Sequence, residues 1–199
     1  MMMNLNKNDL EIKTVRTDRK SYCIKSEIDG FVVRVPKRAT DTEIDEFLNQ
    51  HKRWIEKQKL RTQKLKREYE ELKPLSEIEL AKIKRKAKKV IPERVEYYAS
   101  LMGVNYGKIT IRTQKRRWGS CSVNGNLSFN CLLMFAPDAV IDSVVVHELC
   151  HIKVKNHSKK FYNEVLKVFP DYWNCHKWLK EHGDLIILRA NGQTIKNEL

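Results

Sequence analysis

Two histidines one helical turn apart, with an acid beside the first, constrain this chain more than any other feature: His147-Glu148-Leu149-Cys150-His151, followed by His157. An α-helix advances about 100° and ~1.5 Å per residue, so positions 147 and 151 share one face and their imidazoles can converge on a single ion. Glu148 is rotated off that axis, where it can take a proton from a water on the metal rather than ligate the metal itself. The apolar lead-in Val140-Ile141 and Val144-Val145-Val146 supports a buried helix, and Pro137-Asp138 offers its start. Two unpaired imidazoles on a buried stripe are costly to desolvate without a ligand or partners, which argues for a metal.

His157 lies more than a turn and a half of helix beyond His151, so the chain has to bend for it to return to the same ion. Asn156 tolerates the left-handed backbone that ends helices, and Ser158 suits the N-cap of a new helix running from Lys159 to Phe169. That break places His157 in a corner between two helices, as third ligand or as an exposed loop histidine. Glu164 on the following helix is the substitute ligand, since a carboxylate also suits zinc.

Composition narrows the classes. With 199 residues and a net charge of +14, the chain has room for one ordinary domain, or one with an appendage. No apolar run approaches the roughly 20 residues that span a bilayer, and the N-terminal Met1 to Lys7 lacks a signal-peptide core, so a cytoplasmic protein is expected. Cys23, Cys121, Cys131, Cys150 and Cys175 form no Cys-x-x-Cys pair, and they read as small buried apolar residues rather than disulfides or a zinc site. The basic excess precedes the histidines: residues 51–100 hold 16 Lys and Arg against 8 Asp and Glu. Around Lys82-Ile83-Lys84-Arg85-Lys86-Ala87-Lys88-Lys89 this pattern fits a solvated helix face, or an electrostatic footprint for nucleic acid.

The histidine motif, Asn156-His157-Ser158 and Phe161, preceded by Arg117-Trp118-Gly119-Ser120-Cys121 and Ala136-Pro137, together resemble the YgjP-like family of metal-dependent hydrolases. That family is grouped with the SprT-like and WLM metallopeptidases, and the likeness extends to Pro170-Asp171-Tyr172, Trp178-Leu179, Val35-Pro36 and Trp54-Ile55. The resemblance implies an α+β, zincin-like fold, Zn2+ on His147, His151 and His157, Glu148 as general base, and hydrolysis of peptide bonds in a polypeptide substrate. Metzincins share the ligand spacing but have glycine where this chain has Val154. The YbeY-like ribonucleases resemble it less, because glycine stands in their pattern where Glu148 and Val154 stand here.

The remainder reads as an N-terminal region, 1–75, a catalytic region, 76–190, and a tail, 191–199. Strand-like alternation over 11–16, 21–25 and 31–35, with a turn at Asp29-Gly30, precedes a helix capped by Thr40 or Asp41 that continues towards Pro74. A second helix runs from Ser76 through Tyr98, interrupted or restarted at Pro92, and Gly103 closes it. Ile109 to Arg112, Trp118 to Ser122 and Leu127 to Leu132 read as strands. A two-residue Asn124-Gly125 turn pairs Trp118 with Cys131, Ser120 with Phe129 and Cys121 with Ser128. In zincins an edge strand above the metal holds an extended peptide, so Trp118, Gly119 and Ser120 are candidate substrate-binding residues; the competing reading puts Trp118 in the core and a bulge at Gly119.

After the metal helix, Pro170-Asp171 starts a last helix that ends at Gly183, and Tyr172 and His176 on it are candidates to steady an oxyanion. A zinc metallopeptidase is the reading these features support. A metal-dependent endoribonuclease, and a nucleic-acid-associated binding protein with a structural metal, are the alternatives. Oligomeric state is not encoded in any of these signals.

Overall fold

Thr40 and Ser76 each accept a hydrogen bond from the backbone N–H three residues on, while Glu43 and Glu79 reach back to the cap residues' own N–H groups. These two capping boxes start the first helix and the longest one. The computed structural model describes residues 11–27, 30–191 and 197–198. Among them are seven short strands in two sheets and six α-helices, the expected α+β class. The chain divides into two units, one within 1–73 together with 197–198, the other within Pro74–Gly192.

In the first unit, β1 (Glu11–Thr17), β2 (Cys23–Glu27), β3 (Gly30–Pro36) and β7 (Asn197–Glu198) form one sheet in the order β1-β3-β2-β7. β2 and β3 pair antiparallel with Glu27 opposite Gly30; of the expected Asp29-Gly30 turn, Asp29 lies outside the described residues. Most of the expected tail, 191–199, lies outside them too. α1 (Asp41–Gln50) and α2 (Lys52–Glu71) replace the single helix read from the sequence. The interruption is at His51, whose Nδ1–H donates to the Phe47 carbonyl at 2.7 Å and whose ring packs 4.4 Å from Phe47. Ile24, Phe31, Val33, Val35 and Ile44 form this unit's core, with Trp54 and Ile55 packed against it.

The second unit is built around α3 (Glu77–Met102) and α4 (Asp138–Lys153). Pro92 lies inside α3 without restarting it. The helix buries Ala87, Ile91, Val95, Ala99 and Met102, a stripe at helical spacing, and leaves Lys82, Lys84, Arg85, Lys86, Lys88 and Lys89 exposed. Gly103 ends it with φ 60°, a conformation that glycine adopts without steric penalty. Arg94 ties α3 to α4 through Asp142 at 2.5 Å and Asp138 at 2.8 Å.

β4 (Ile109–Arg112), β5 (Gly119–Cys121) and β6 (Leu127–Asn130) make the second sheet, in the order β4-β6-β5. β6 is parallel to β4 and antiparallel to β5. The register differs by one from that expected: Gly119 faces Phe129, Ser120 faces Ser128 and Cys121 faces Leu127. The turn is the cause. Ser122 N–H donates to the Asn126 carbonyl and Gly125 N–H to the Ser122 carbonyl, while Gly125 holds φ 72°, so the connection is a three-residue hairpin loop. The extra loop residue shifts every pair. A short 3-10 helix, Cys131–Phe135, leads to α4, and α5 (Lys159–Val168) and α6 (Tyr172–Asn191) follow.

α6 does not stop at Gly183. A Cβ there would come within 2.9 Å of Trp118 Cζ2, so the glycine serves the close approach of the indole to the helix rather than a helix end. All five cysteines are unpaired. No helix among the described residues is long and apolar enough to cross a membrane.

Candidate metal centre

α4 carries the first two histidines, and its end delivers the third. Asn156 does not take the left-handed conformation; the helix ends at Val154, in extended backbone with its N–H on the Cys150 carbonyl. The chain then turns through 155–157 and re-enters helix at Lys159, with Ser158 in the N-cap position but its side chain making no cap bond. The result is the expected corner. His157 Nε2 lies 3.0 Å from His147 Nε2 and 3.2 Å from His151 Nε2.

Those separations test whether the site fits a metal. Bonds of about 2.0–2.1 Å to zinc at tetrahedral angles put ligand nitrogens roughly 3.3 Å apart, close to what the three rings show. Among the described residues these histidines are the one group of three or more His, Cys, Asp or Glu able to hold an ion, with their ligand atoms all within 4.8 Å of one another. Glu164 is not in that group; it pairs with Lys167 at 2.7 Å. Cys150 is not either, and burial pushes its thiol up to about 12, so it stays protonated at neutral pH.

The ring orientations are fixed from behind. His151 Nδ1–H donates to the Val154 carbonyl at 3.1 Å, and His147 Nδ1 lies 2.9 Å from the Tyr172 hydroxyl. Each contact turns the opposite nitrogen, Nε2, into the shared space, as outer partners of metal-bound imidazoles do. Phe161 forms the floor, buried, with its ring 4.8, 4.5 and 4.9 Å from the rings of His147, His151 and His157. Burial and the neighbouring imidazoles depress His147 to about 3, so it is neutral and able to ligate across the physiological range. His151 is depressed as well, again chiefly by burial.

Glu148 is 5% exposed, and burial raises its carboxyl to about 8 against the opposing pull of the Arg117 guanidinium. It stands against β5: a Cβ on Gly119 would come within 2.6 Å of both Glu148 Cγ and Oε1. Gly119 therefore makes room for Glu148. The side chain that its missing Cβ accommodates is the acid.

The other candidates separate. Trp118 is half-buried and packs on the core and on Gly183, and Ser120 faces Ser128 across the sheet. Tyr172 is buried beside His147, and burial pushes its phenol well above the usual range, so it remains neutral. His176 is exposed and stacks on the Tyr172 ring at 5.9 Å. Sequence reading missed how Phe161 and Val154 support the rings. Phe161 enters the sequence argument through the family resemblance, and a main-chain acceptor leaves no signal in side-chain identity.

A family model described as YgjP-like, metallopeptidase domain, matches residues 75–182. No curated protein matches the chain. Among solved structures it is similar to the metallopeptidase zymogen jannalysin of Methanocaldococcus jannaschii, at 24% identity, covering 47% of this chain and 96% of that one, with a TM-score of 0.42. It is also similar to the zymogen abylysin of Pyrococcus abyssi, at 22% identity, covering 46% and 94%, with a TM-score of 0.42.

Proposed function

The chain belongs to the YgjP-like metallopeptidase family, and we propose that it is a zinc-dependent peptidase in which Glu148 is the general base. The convergence of three imidazole Nε2 atoms, with a buried carboxyl on the residue next to His147, carries this reading. His147, His151 and His157 would hold the ion and leave a fourth position open to solvent or substrate. Bound there, zinc supplies Lewis-acid chemistry: it polarises a carbonyl and lowers the pKa of water from 15.7 towards about 7.

The chain's own residues do the rest. Glu148, raised by burial, would be drawn back towards its ionised form by a nearby dication and then accepts the proton of the attacking water. The same carboxyl returns the proton to the departing amine. Tyr172 and the Val154 carbonyl keep two of the rings aimed throughout.

The polypeptide lies along β5. In an antiparallel pair, alternate residues direct their N–H and C=O groups to the neighbouring strand. The Trp118 carbonyl bonds Asn130 and the Ser122 N–H bonds Asn126, which turns the main-chain groups of Gly119 and Cys121 towards the edge that β6 does not cover. Within the Trp118-Gly119-Ser120 segment, Gly119 supplies the main-chain contact, Trp118 braces the strand from the core and Ser120 faces the outer surface of the sheet. Unpaired thiols throughout suit a reducing, cytoplasmic setting.

The test is metal-loaded protein and its Glu148→Gln variant, each incubated with a mixed peptide library and with RNA. Peptide cleavage that requires both zinc and Glu148, with RNA left intact, is the expected result. Zinc-dependent RNA cleavage without peptide cleavage would replace the peptidase with a nuclease.

A further inference from the structure

The outer face of the β4-β6-β5 sheet carries a groove of 810 Å³. Its floor is polar: Thr110, Ser128 and Ser120 stand in register across the three strands. Its rim is cationic, with Arg112, Lys115 and Arg117 all exposed. No carboxylate and no aromatic side chain lines it.

The rim is held in place. Asn130 is fully buried, and its Nδ2 donates to the Gln114 carbonyl at 2.9 Å and the Arg117 carbonyl at 3.0 Å. Its Oδ1 accepts from Leu132 N–H at 3.2 Å, and Gln114 Nε2 donates to Ser128 Oγ at 3.2 Å. One buried amide thus fastens the backbone of the loop that presents Lys115 and Arg117. Two of its residues relate the groove to the candidate site. Arg117 acts electrostatically on Glu148, and Ser120 follows the glycine on which Glu148 rests.

We propose that this groove is a specificity subsite that selects acidic polypeptide, binding Asp and Glu side chains of a substrate strand laid along β5; the inference rests on the peptidase reading above. Successive side chains of an extended peptide point to opposite faces of the sheet, so every second residue, spaced about 6.6–6.8 Å, falls on the groove side. Carboxylates there meet Arg112, Lys115 and Arg117, and the hydroxyls of the floor donate to oxygens the cations leave unmet. Charge complementarity alone also suits nucleic acid. The lining favours peptide, because single-stranded nucleic acid is held chiefly by stacking on aromatic rings and this groove offers none.

The experiment uses the full zinc-loaded chain. Quenched-fluorescent peptides identical except for Glu, Gln or Lys at alternating positions near the cleavage site give the selectivity of kcat/KM. Binding of the same labelled peptides, and of single-stranded RNA, is measured on Glu148→Gln. Glu peptides are expected to exceed Gln peptides by roughly 3- to 20-fold, as two exposed charge pairs would give, with the preference shrinking in salt. Arg112→Glu with Lys115→Glu should turn the preference towards Lys peptides. Arg112→Gln with Lys115→Gln should reduce it to the part Arg117 supplies, and serves if the charge reversal perturbs folding.

Equal cleavage of all three peptides would overturn the subsite and leave the peptidase standing. No cleavage by the parent, with charge-dependent binding of Glu peptides to Glu148→Gln, would remove the peptidase and leave the acidic-peptide groove. RNA binding that depends on Arg112 and Lys115, without peptide binding, would overturn the inference in favour of nucleic acid.

Discussion

Gly119 lies so close to Glu148 that a single methyl group at 119 would meet the carboxyl side chain at 2.6 Å. The strand proposed to hold substrate and the acid proposed to activate water are therefore in contact. Gly119→Ala should push the Glu148 carboxyl off its position. Peptide cleavage is expected to fall by roughly 10- to 100-fold, as a displacement of about 1 Å can cause, while zinc content stays near that of the parent. Activity within twofold of the parent would show that the contact has no catalytic consequence.

Acid–base behaviour of the metal-free protein provides a second check. The Glu148 carboxyl sits at about 8 in the folded protein against an ordinary 4.5, so between those values the folded state keeps a proton the unfolded chain has lost. Stability from this group is complete below about pH 4.5 and is lost as pH rises towards 8. Glu148→Gln removes that loss. The melting temperature of the apo variant, relative to the apo parent, should climb by roughly 10–15 °C across the window. His147 acts with the opposite sign: at about 3 against 6.5, it weakens the fold as pH drops through that range, equally in both proteins. A flat difference between variant and parent would contradict the raised carboxyl.

Metal removal should be visible as lost stability. Zinc at about 100 times its dissociation constant adds ~2.7 kcal/mol to the folded state, which corresponds to roughly 5–10 °C for a chain of this size. His157→Ala should abolish that increment, whereas Glu164→Gln should keep it. Thermal melts with and without zinc decide between the two as third ligand.

Tyr172 holds His147 through a 2.9 Å contact at Nδ1. Tyr172→Phe removes the hydroxyl and retains the ring, so zinc affinity should drop by roughly 10- to 100-fold, the usual effect of losing an outer partner. Competition titration against a chromophoric chelator measures it. An unchanged affinity would leave the hydroxyl without a role in metal binding.

Gly183 and Trp118 form a testable packing pair. Glycine inside a helix costs about 1 kcal/mol relative to alanine, yet here an added Cβ meets the indole at 2.9 Å, and overpacking typically costs ~1–3 kcal/mol. Gly183→Ala should destabilise the parent but stabilise Trp118→Ala. A denaturant double-mutant cycle reads the change of sign.

The sequence by itself determined which histidines come together. His147 and His151 are set one turn apart by helical geometry, and Asn156, His157 and Ser158 announced a corner, because ligand spacing and helix interruption are local properties. The helix starts near Thr40 and at Ser76, and the helix end at Gly103, were legible for the same reason. Pairings across space were not. The β5–β6 register turned on whether the loop takes two residues or three, and one residue of difference moves every partner. The meanings of Gly119 and Gly183 depended on which side chain approaches each, Glu148 in one case and Trp118 in the other. A glycine records that space is needed; only the packed chain decides what fills it.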